Sequence, residues 1–574
     1  MRRIRIIASL VAVATVVAVS ALGGTSRATP TGRFIYQYEP GRPPLSGVAD
    51  HRLMTQERGA EPSGPARVGA LQASDDIQVN GDNKADASQQ FGGGEGWPAN
   101  ETAIAVNPTD ESNVIAAAND YESGVDSVQG IYASFDGGHT WTYSRHARQV
   151  ITPDRRMLGS GDPVVAFDSE GTAYQSFISF GRADCDSYIA VIRSTDQGVT
   201  WSTPVDSESE GTGLVVGDGI VVHNGGPADC QIFHDKEWMT TGVRPAGAEI
   251  VEGSVEEFVG PDRLYVTWTR FDFGPAGDTY IESPIFEAHS DDQGRTWSEP
   301  QEISGSSSLC TFNFGDQDPP ACDEDQFSVP VVDPSTGRVY VIFENFQSEN
   351  PALFNHYLLV RSNDGGDTWS DPVRVSRLVD GFAKYPICFG SQVLDEMCAR
   401  VNAAGNIDVD SNTGNLYVTW SDNRNGSAAD TNTDVFVTKS TDGGDSWTPP
   451  KNLTGRSADD QFFPWLSVAP NGTVAVMYFD RRYSGPKLID TTLEQSTDGG
   501  QTFSAERVSE VSWNPDLAFR LGFFIGDYNG LDTTSTTALP FWTDARFAEP
   551  NVEGNNPPHQ QSDVMVDVEP LLGT

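Results

Sequence analysis

The sequence predicts an all-β fold rich in turns, on the strength of three observations. One eight-residue pattern, Ser-x-Asp-x-Gly-x-Thr/Ser-Trp/Phe, occurs six times in 574 residues. Strand-like segments bounded by Asn, Asp, Gly and Pro surround each copy. The 57 Gly and 35 Pro are scattered along the chain, which disfavours coiled coils and helical bundles. One large repetitive β fold therefore explains the length better than about three or four separate domains.

The repeated pattern is typical of a hairpin turn. Its Asp can accept backbone N–H bonds within the turn, and its Gly can supply a positive φ. The closing Trp or Phe covers the hairpin with apolar surface. A single active site does not need six equivalent acids, so we interpret the copies as one structural turn. They begin at Ser134, Ser194, Ser290, Ser362, Ser440 and Ser496.

Each copy follows two strand-like segments and precedes a short fourth segment. Around the fourth copy, residues 327–333 and 338–343 come before the turn, and residues 372–376 follow it. Turns rich in Asp, Asn and Gly join the first two segments. Four antiparallel strands per repeat predict the blade of a β-propeller.

A seventh set of strands near the C terminus lacks both the eight-residue pattern and a fourth strand. The segment at residues 76–80 is similar to the fourth strands of the other repeats. Pairing it with the last blade would close the ring and remove its open edges. We predict a seven-bladed propeller over residues 75–568 with a tail at 569–574, and six blades as the alternative.

The N terminus is typical of an export signal. Arg2, Arg3 and Arg5 precede an apolar run at residues 6–22, and small residues near Ala28 offer a cleavage site. An uncleaved anchor helix is the alternative, because the apolar run is of borderline length for spanning a bilayer. We predict a signal peptide at residues 1–28, a flexible leader at 29–74 and a secreted protein.

The chain is strongly acidic, with a formal net charge of −44. Such a charge repels phosphate backbones and anionic lipid surfaces. We therefore expect no nucleic-acid partner and no membrane association after signal cleavage, and we expect a monomer.

The mature chain keeps six cysteines, an even number that favours disulfides in an exported protein. Six cysteines allow 15 connectivities, and closeness in sequence selects one of them. No CxxC spacing occurs, so we expect neither a zinc nor a redox site. The predicted pairs are Cys185–Cys230, Cys310–Cys322 and Cys388–Cys398.

The six patterns resemble the Asp-boxes, or bacterial neuraminidase repeats, of the sialidase superfamily, over residues 100–568. In that superfamily the repeats lie between the third and fourth strands, on the face away from the usual active site. The opposite face carries the loops before each first strand and after each second strand. Such propellers include sialidases, xyloglucanases, polysaccharide lyases and non-catalytic receptors, so the fold alone does not fix the chemistry.

The loops of that opposite face carry a recurring acid-then-Arg pattern. Arginines in such loops can bind an anionic sugar through bidentate contacts. The alternative is that each Asp/Arg pair is a salt bridge between neighbouring blades. The predicted substrate-binding residues are Arg270, Arg424, Arg482, Arg546 and Asp235.

The resemblance implies three arginines for the substrate carboxylate, an Asp as acid/base, and a Tyr nucleophile paired with a Glu. The superfamily's Arg-Ile-Pro motif is absent, and residues 100–102 read Asn-Glu-Thr at the corresponding position. We predict Tyr528 as the nucleophile and Asp527 or Asp162 as the acid. The expected activity is sialidase-like glycoside hydrolysis of extracellular carbohydrate.

Two alternatives from other classes stay open. One is a non-catalytic propeller that binds a polysaccharide or a protein. The other is a polysaccharide lyase, in which His234 would act as base unless it is simply packed at the start of its strand. We expect no cofactor and no metal, with calcium at acidic turns such as Asp408-Val-Asp410 as the exception to test.

Overall fold

The computed structural model describes residues 76–80, 98–121, 128–144, 150–152, 158–181, 184–206, 218–311, 320–347, 354–381, 383–455, 457–518, 522–548 and 562–573. In that part of the chain the strands form seven antiparallel blades, interrupted by two short 3-10 segments, Glu256–Phe258 and Pro515–Leu517. The predicted export signal and leader lie outside the described residues. No helix in the described ranges is long and apolar enough to cross a bilayer.

Within each blade the strands are lettered A to D from the channel outward. In the order A, B, C and D, the strands of blades 1 to 3 are Ala99–Val106, Val114–Asp120, Val128–Ser134 and Thr142–Ser144; Leu158–Phe167, Ala173–Gly181, Ser187–Ser194 and Ile220–His223; and Ile232–Val243, Asp262–Asp272, Ile285–Ser290 and Gln301–Glu302. Those of blades 4 and 5 are Asp325–Val332, Val339–Asn345, Asn355–Ser362 and Val373–Leu378; and Ile407–Val409, Leu416–Asp422, Asp434–Ser440 and Lys451–Asn452. Those of blades 6 and 7 are Gln461–Val468, Val474–Asp480, Asp490–Ser496 and Ser504–Arg507; and Gly530–Thr533, Thr537–Asp544, Asp563–Val566 and Ile77–Gln78.

The seventh blade joins the two ends of the described chain. Ile77 pairs with Val566 and Gln78 pairs with Met565, so the most N-terminal strand is strand D of the last blade. This confirms the predicted closure and the count of seven blades. Glu569–Pro570 also pairs with strand B of this sheet, so pairing continues beyond residue 568.

The ring has two faces with different connections. Strands A end and strands B begin at one face, which also carries the C–D turns, and we call it the repeat-turn face. Strands A begin and strands B end at the other, which we call the strand-start face. The seven strands A line a central channel, where a cavity of about 550 Å³ lies toward the repeat-turn face.

The six eight-residue patterns form one recurring C–D turn. In the first copy, Asp136 accepts bonds from the Thr140 amide at 2.8 Å and the Thr140 hydroxyl at 2.7 Å. The Gly138 amide donates to the Ser134 hydroxyl at 2.9 Å. The other five copies repeat these three bonds. The repeated Asp is thus a structural acceptor within its own turn.

Three disulfides join loops of the strand-start face, and all three were predicted from sequence: Cys185–Cys230, Cys310–Cys322 and Cys388–Cys398. The third closes a small hairpin made of Ile387–Cys388 and Ser391–Gln392, between blades 4 and 5. These loops have little regular strand pairing, so the crosslinks restrict conformations that hydrogen bonding alone leaves open.

Candidate active site

Five of the seven innermost strands contain a β-bulge near the strand-start face. In each, the pairing of strand A with strand B shifts register at one position. A non-glycine residue with positive φ occupies every bulge, and such backbone is strained for side chains other than Gly. A bulge also breaks the alternation of a strand and so changes the aim of its side chain. The bulge residues are Glu101, Asp162, Lys236, Phe327 and Phe463.

Two of these bulges bring a pair of carboxyls together. Glu101 and Asp162 are fully buried, and their carboxyls are close enough to share a proton. Both Asp162 oxygens accept no bond from any other described group. Burial, together with the charges of Asp235 and Asp527, raises the pKa of Asp162 to about 7. Burial and the charges of Asp162 and Asp527 raise the pKa of Glu101 well above its usual range.

Asn119 on strand B of blade 1 holds this pair in position. Its amide group donates to the Glu101 carboxyl, and its oxygen accepts from the Asp162 backbone amide at 2.9 Å. The Asp527 amide also donates to Glu101, at 3.2 Å. Blades 1, 2 and 7 therefore meet at one buried carboxyl pair.

A third carboxyl and a buried lysine complete the cluster. Burial and the charge of Asp162 raise the pKa of Glu237 well above its usual range. One Glu237 oxygen accepts from Ser176 at 3.2 Å, while the other is buried without a partner. The Lys236 ammonium is buried without a hydrogen-bond partner among the described residues, and its charge lowers the pKa values of Glu101, Asp162 and Glu237.

Aromatic rings separate this cluster from the channel cavity. The Lys236 nitrogen lies 3.9 Å from the Tyr528 ring centroid and 4.5 Å from that of Trp238. The Trp238 and Trp465 ring centroids are 4.5 Å apart, and both residues also line the channel cavity. The Tyr528 hydroxyl is buried without a partner, and burial and nearby carboxyls, Glu101 first, raise its pKa well above its usual range. Tyr528 is therefore a neutral phenol in this arrangement.

Asp527 joins two loops over the cluster. The Arg400 guanidinium binds the Asp527 carboxyl through two nitrogens, one of them at 3.0 Å. Asn402 donates to the Asp527 carbonyl at 3.2 Å, and the Arg400 amide donates to the Phe523 carbonyl at 3.1 Å. A carboxylate in such a bidentate pair is less available for proton transfer than Asp162.

The arginines of the acid-then-Arg pattern lie apart from this cluster, each bound to an Asp two residues earlier. Arg424 contacts Asp422 at 2.8 Å, Arg482 contacts Asp480 at 2.7 Å, and Arg546 contacts Asp544 at 2.6 Å. These three ion pairs lie within a blade, so the predicted alternative of bridges between blades is wrong for these three arginines. Arg270 faces Glu282 at 3.8 Å. Their role in substrate binding stays a prediction.

The pattern has a local physical cause that the sequence also contains. The Trp420 and Trp542 indoles, two residues before Asp422 and Asp544, donate to those carboxyls at 3.1 and 3.2 Å. Each Asp therefore accepts from a buried Trp on one side and an Arg on the other. A Trp-x-Asp-x-Arg spacing at the end of strand B builds this contact without any neighbouring blade.

Of the predicted catalytic residues, the structure brings Asp162, Asp527 and Tyr528 into one cluster. Asp235, predicted to bind substrate, lies beside it and accepts from Gln326 at 3.3 Å. Sequence reasoning did not assign Glu101, Lys236, Glu237 or Arg400 to the site. The first three stand at or beside the starts of innermost strands, which is the signal that could have found them.

The predicted lyase base, His234, and the candidate calcium ligand Asp408 both form hydrogen bonds within the protein. His234 accepts from the Trp268 indole at 3.0 Å, and burial, Arg270 and His223 lower its pKa well below the usual range. It is thus a packed neutral imidazole. Asp408 accepts backbone amides, and no group of three or more potential metal ligands occurs among the described residues.

Several solved structures are similar to this chain. No family model and no curated protein matches the sequence significantly. A protein of unknown function from Dyadobacter fermentans is 12% identical, covers 83% of this chain and 96% of its own, and has a TM-score of 0.39. A Hadza microbial sialidase is 15% identical over 78% of this chain and 73% of its own, with a TM-score of 0.40. An α-L-arabinanase from Penicillium chrysogenum is 12% identical over 87% and 99%, with a TM-score of 0.38. Since every TM-score is below 0.5, no conclusion about function follows from these likenesses.

Proposed function

We propose that this chain is a secreted glycoside hydrolase that acts on extracellular carbohydrate at the carboxyl cluster of the strand-start face. The proposal is carried by one observation: Glu101, Asp162 and Glu237 surround a buried polar site beside a neutral Tyr528 hydroxyl. Glycoside hydrolysis needs one carboxyl that is protonated at the working pH and a second that is ionised.

The Glu101–Asp162 pair supplies the acid. Two carboxyls in contact cannot both ionise readily, so the pair keeps one proton up to near neutral pH. The raised pKa of Asp162, about 7, is consistent with that retention. In the proposed reaction this proton passes to the oxygen of the leaving group as the glycosidic bond breaks.

Glu237 is the proposed second carboxyl. Burial outweighs the opposing charge of Lys236 while the site is closed, so in the proposed reaction Glu237 loses its proton when the site opens to solvent, and Lys236 then lies beside the resulting carboxylate. That charge would stabilise the positive sugar ring of the transition state or deprotonate the attacking water. Because Tyr528 is held neutral, we assign it hydrogen-bond donation to the sugar in place of the nucleophilic role predicted from sequence.

The charge of the cluster favours an uncharged sugar. Five carboxyls, those of Glu101, Asp162, Asp235, Glu237 and Asp527, face the cations Lys236 and Arg400. Arg400 is already bound to Asp527. A sialic acid would bring a further carboxylate to a site without an uncommitted guanidinium, at a high cost in desolvation and repulsion. We therefore propose a neutral glycosyl residue as the preferred substrate, and exo-sialidase activity as the less favoured form of the same function.

Substrate access requires a change at the strand-start face. The cluster residues Glu101, Asp162 and Glu237 are fully buried, and Lys236 and Tyr528 are 3% exposed. The Arg400–Asp527 ion pair ties the loop that ends at Arg400 to the loop before strand A of blade 7. In the proposed reaction these loops separate to admit a sugar and then exclude water from the acid.

The test is a hydrolysis screen with arabinosides, xylosides, galactosides, glucosides and sialosides. The wild type should release a neutral sugar, and Glu101→Gln should lower kcat by about 10²–10⁴-fold, the usual contribution of a general acid. Asp532→Asn is the matched control, because burial also raises the pKa of Asp532 but this carboxyl lies at the other end of the channel. Release of no sugar from any glycoside would contradict the proposal.

A second candidate function is a non-catalytic propeller that binds glycans. The complete burial of the cluster favours it, because an enzyme site usually has an open route to solvent. Binding of an oligosaccharide without turnover, unaffected by Glu101→Gln, would support this reading.

A further inference from the structure

A second groove lies on the outer rim of the ring between blades 4 and 5, with a volume of about 440 Å³. Strand D of blade 4 forms one wall, and the segment after the fifth repeat turn forms the other. We propose that this groove binds an acidic polysaccharide through Arg374 and Arg377. The proposal uses none of the residues of the carboxyl cluster, so it stands independently of glycoside hydrolysis.

A β-bulge places two of these arginines on the same side of their strand. In blade 4, Tyr357 pairs with Ser376 and Leu358 pairs with Arg374, so Val375 has no partner across the ladder. Regular alternation would send residues three apart to opposite faces. With the extra residue, Arg374 and Arg377 are both exposed and both line the groove.

The two arginines carry uncompensated charge. Neither Arg374 nor Arg377 forms an ion pair within the described part of the chain, although most other described arginines do. The acid of the groove, Asp445, is already bound by Arg361 at 2.5 Å. In a chain with a net charge of −44, the groove is therefore a local positive site.

The positive charge of Arg374 and Arg377 also affects a neighbouring histidine. His356 pairs across the ladder with Arg377 and lies close to Arg374. Burial and these two guanidinium groups lower its pKa to about 4. A neutral His356 leaves the arginines as the cations of this wall.

The remaining surface of the groove fits a sugar chain. Trp447, Pro449 and Pro450 present apolar surface that can pack on the C–H face of a sugar ring. Arg424 lies over the Phe436 ring at 4.1 Å and is bound to Asp422, so it forms a fixed part of the wall and leaves anion binding to Arg374 and Arg377. Carboxylates or sulfates spaced along a polysaccharide can then meet the guanidinium groups in bidentate contacts. Double-stranded DNA, with one charge per about 1.7 Å, would be repelled more strongly by the rest of this acidic chain.

Affinity electrophoresis with three polymers tests the proposal: polygalacturonate, which carries carboxylates; dextran sulfate, which carries sulfates; and neutral dextran. At low salt the migration of the wild type should be retarded by polygalacturonate or by dextran sulfate. The polymer that retards it shows whether the groove prefers carboxylates or sulfates. Added salt should weaken the retardation. Arg374→Gln/Arg377→Gln should weaken binding by about tenfold or more, since each charged hydrogen bond contributes roughly 1.5–3 kcal/mol.

Lys487→Gln is the matched control, because Lys487 is an exposed cation on blade 6. It should bind like the wild type, and all variants should unfold at the same temperature. Retardation by dextran equal to that by the acidic polymers would overturn the proposal. So would a double variant that binds as well as the wild type, or a wild type that none of the polymers retards.

Discussion

Asp162 and Asp408 are aspartates of innermost regions of the ring, the first fully buried and the second half-buried, and the pKa of each is raised to about 7, chiefly by burial. Their surroundings differ. Asp408, at the repeat-turn end of the channel, accepts the amides of Val409 and Val468, each at 2.7 Å. Asp162, at the strand-start end, stands on a strained bulge and meets another carboxyl instead of a donor. A raised pKa alone therefore does not identify a functional acid, and the proposed site rests on the absence of donors to the buried Asp162 carboxyl among the described residues.

The same contrast holds for the two faces as wholes. At the repeat-turn face, one sequence pattern supplies each turn with its own acceptor and donors. At the strand-start face, several buried polar atoms lack a protein partner, among them the Lys236 ammonium and the Tyr528 hydroxyl. Such local conflict is expected where a fold gives up stability for function.

The largest expected effect is on the repeat-turn face. Arg263 and Asp291 form a fully buried ion pair, and Arg263 also donates to the Gly365 carbonyl of the next blade at 2.6 Å. Arg263→Ala should lower the free energy of unfolding by about 3–5 kcal/mol, because it removes the two close donors of the buried Asp291 carboxylate and leaves it only Arg244, at 3.4 Å, as a cation. Denaturant unfolding measures this loss. Arg193→Ala, which breaks a pair with the exposed Asp218, should lower the free energy of unfolding by about 1 kcal/mol or less. Equal losses of unfolding free energy in the two variants would contradict the greater importance of the buried pair.

The two aspartates themselves should respond in opposite directions. Asp408→Asn replaces an acceptor of two amides and should cost about 1–3 kcal/mol of unfolding free energy. Asp162→Asn replaces the proton shared with Glu101 by an amide that can donate to the Glu101 carboxylate, and it removes a carboxyl whose ionisation is disfavoured, so stability should stay unchanged or rise. Urea titrations of both variants at pH 7 check this. A large loss in Asp162→Asn would show that its carboxyl is a structural acceptor.

The pH dependence of stability sharpens the same contrast. The folded pKa of Asp162, about 7, lies above its unfolded value of about 3.9, so the folded state binds more protons between these values. Its contribution to stability is present in acid and is lost as the pH rises from about 4 to 7. Asp162→Asn should therefore flatten the fall in unfolding free energy over that window.

Asp136→Asn serves as the control, because hydrogen bonds from Thr140 and Ser134 lower the pKa of Asp136 in its turn despite an opposing burial effect. Removing a carboxyl of lowered pKa should leave the window from pH 5 to 7 unchanged. Parallel curves for the wild type and Asp162→Asn would mean that the folded Asp162 is already ionised at pH 4.

The smallest expected effect concerns strain at the hairpin of the strand-start face. Phe389 has a φ of 48° and is 72% exposed, so it buries little surface in exchange for a disfavoured backbone. Phe389→Asn should raise stability by about 0.5 kcal/mol, since Asn tolerates this conformation better. Gly390→Ala, at a φ of 89°, should do the opposite. A stability change of the same sign in both variants would contradict the strain argument.

Repetition made much of the fold predictable. Six copies of one turn, with strand-like segments around them, gave the blade, and the similarity of residues 76–80 to fourth strands gave the closure. The disulfides followed from closeness in sequence. The acid-then-Arg pattern was visible as well, but the ion pairs of Arg424, Arg482 and Arg546 lie within the blade, and in two of them a Trp two residues before the Asp completes the local contact.

The site was predictable only in part, for a geometric reason. Asp162, Asp527 and Tyr528 stood out at the starts of innermost strands. Glu101 meets Asp527 only because ring closure joins residues that are 426 positions apart. The bulges at Glu101 and Lys236 shift the register inside strands, and no local pattern of residues marks them. Two-residue alternation could not show that these side chains converge.

The most direct test of the account compares hydrolysis by Asp162→Asn and Asp408→Asn on the neutral glycoside that the wild type cleaves. Both substitutions remove an aspartate carboxyl with a pKa of about 7, one at each end of the channel. If the strand-start cluster is the reaction centre, Asp162→Asn should lose about 10²–10⁴-fold in kcat, while folded Asp408→Asn keeps the wild-type rate. Equal rates in the two variants, or a loss confined to Asp408→Asn, would contradict the placement of the active site.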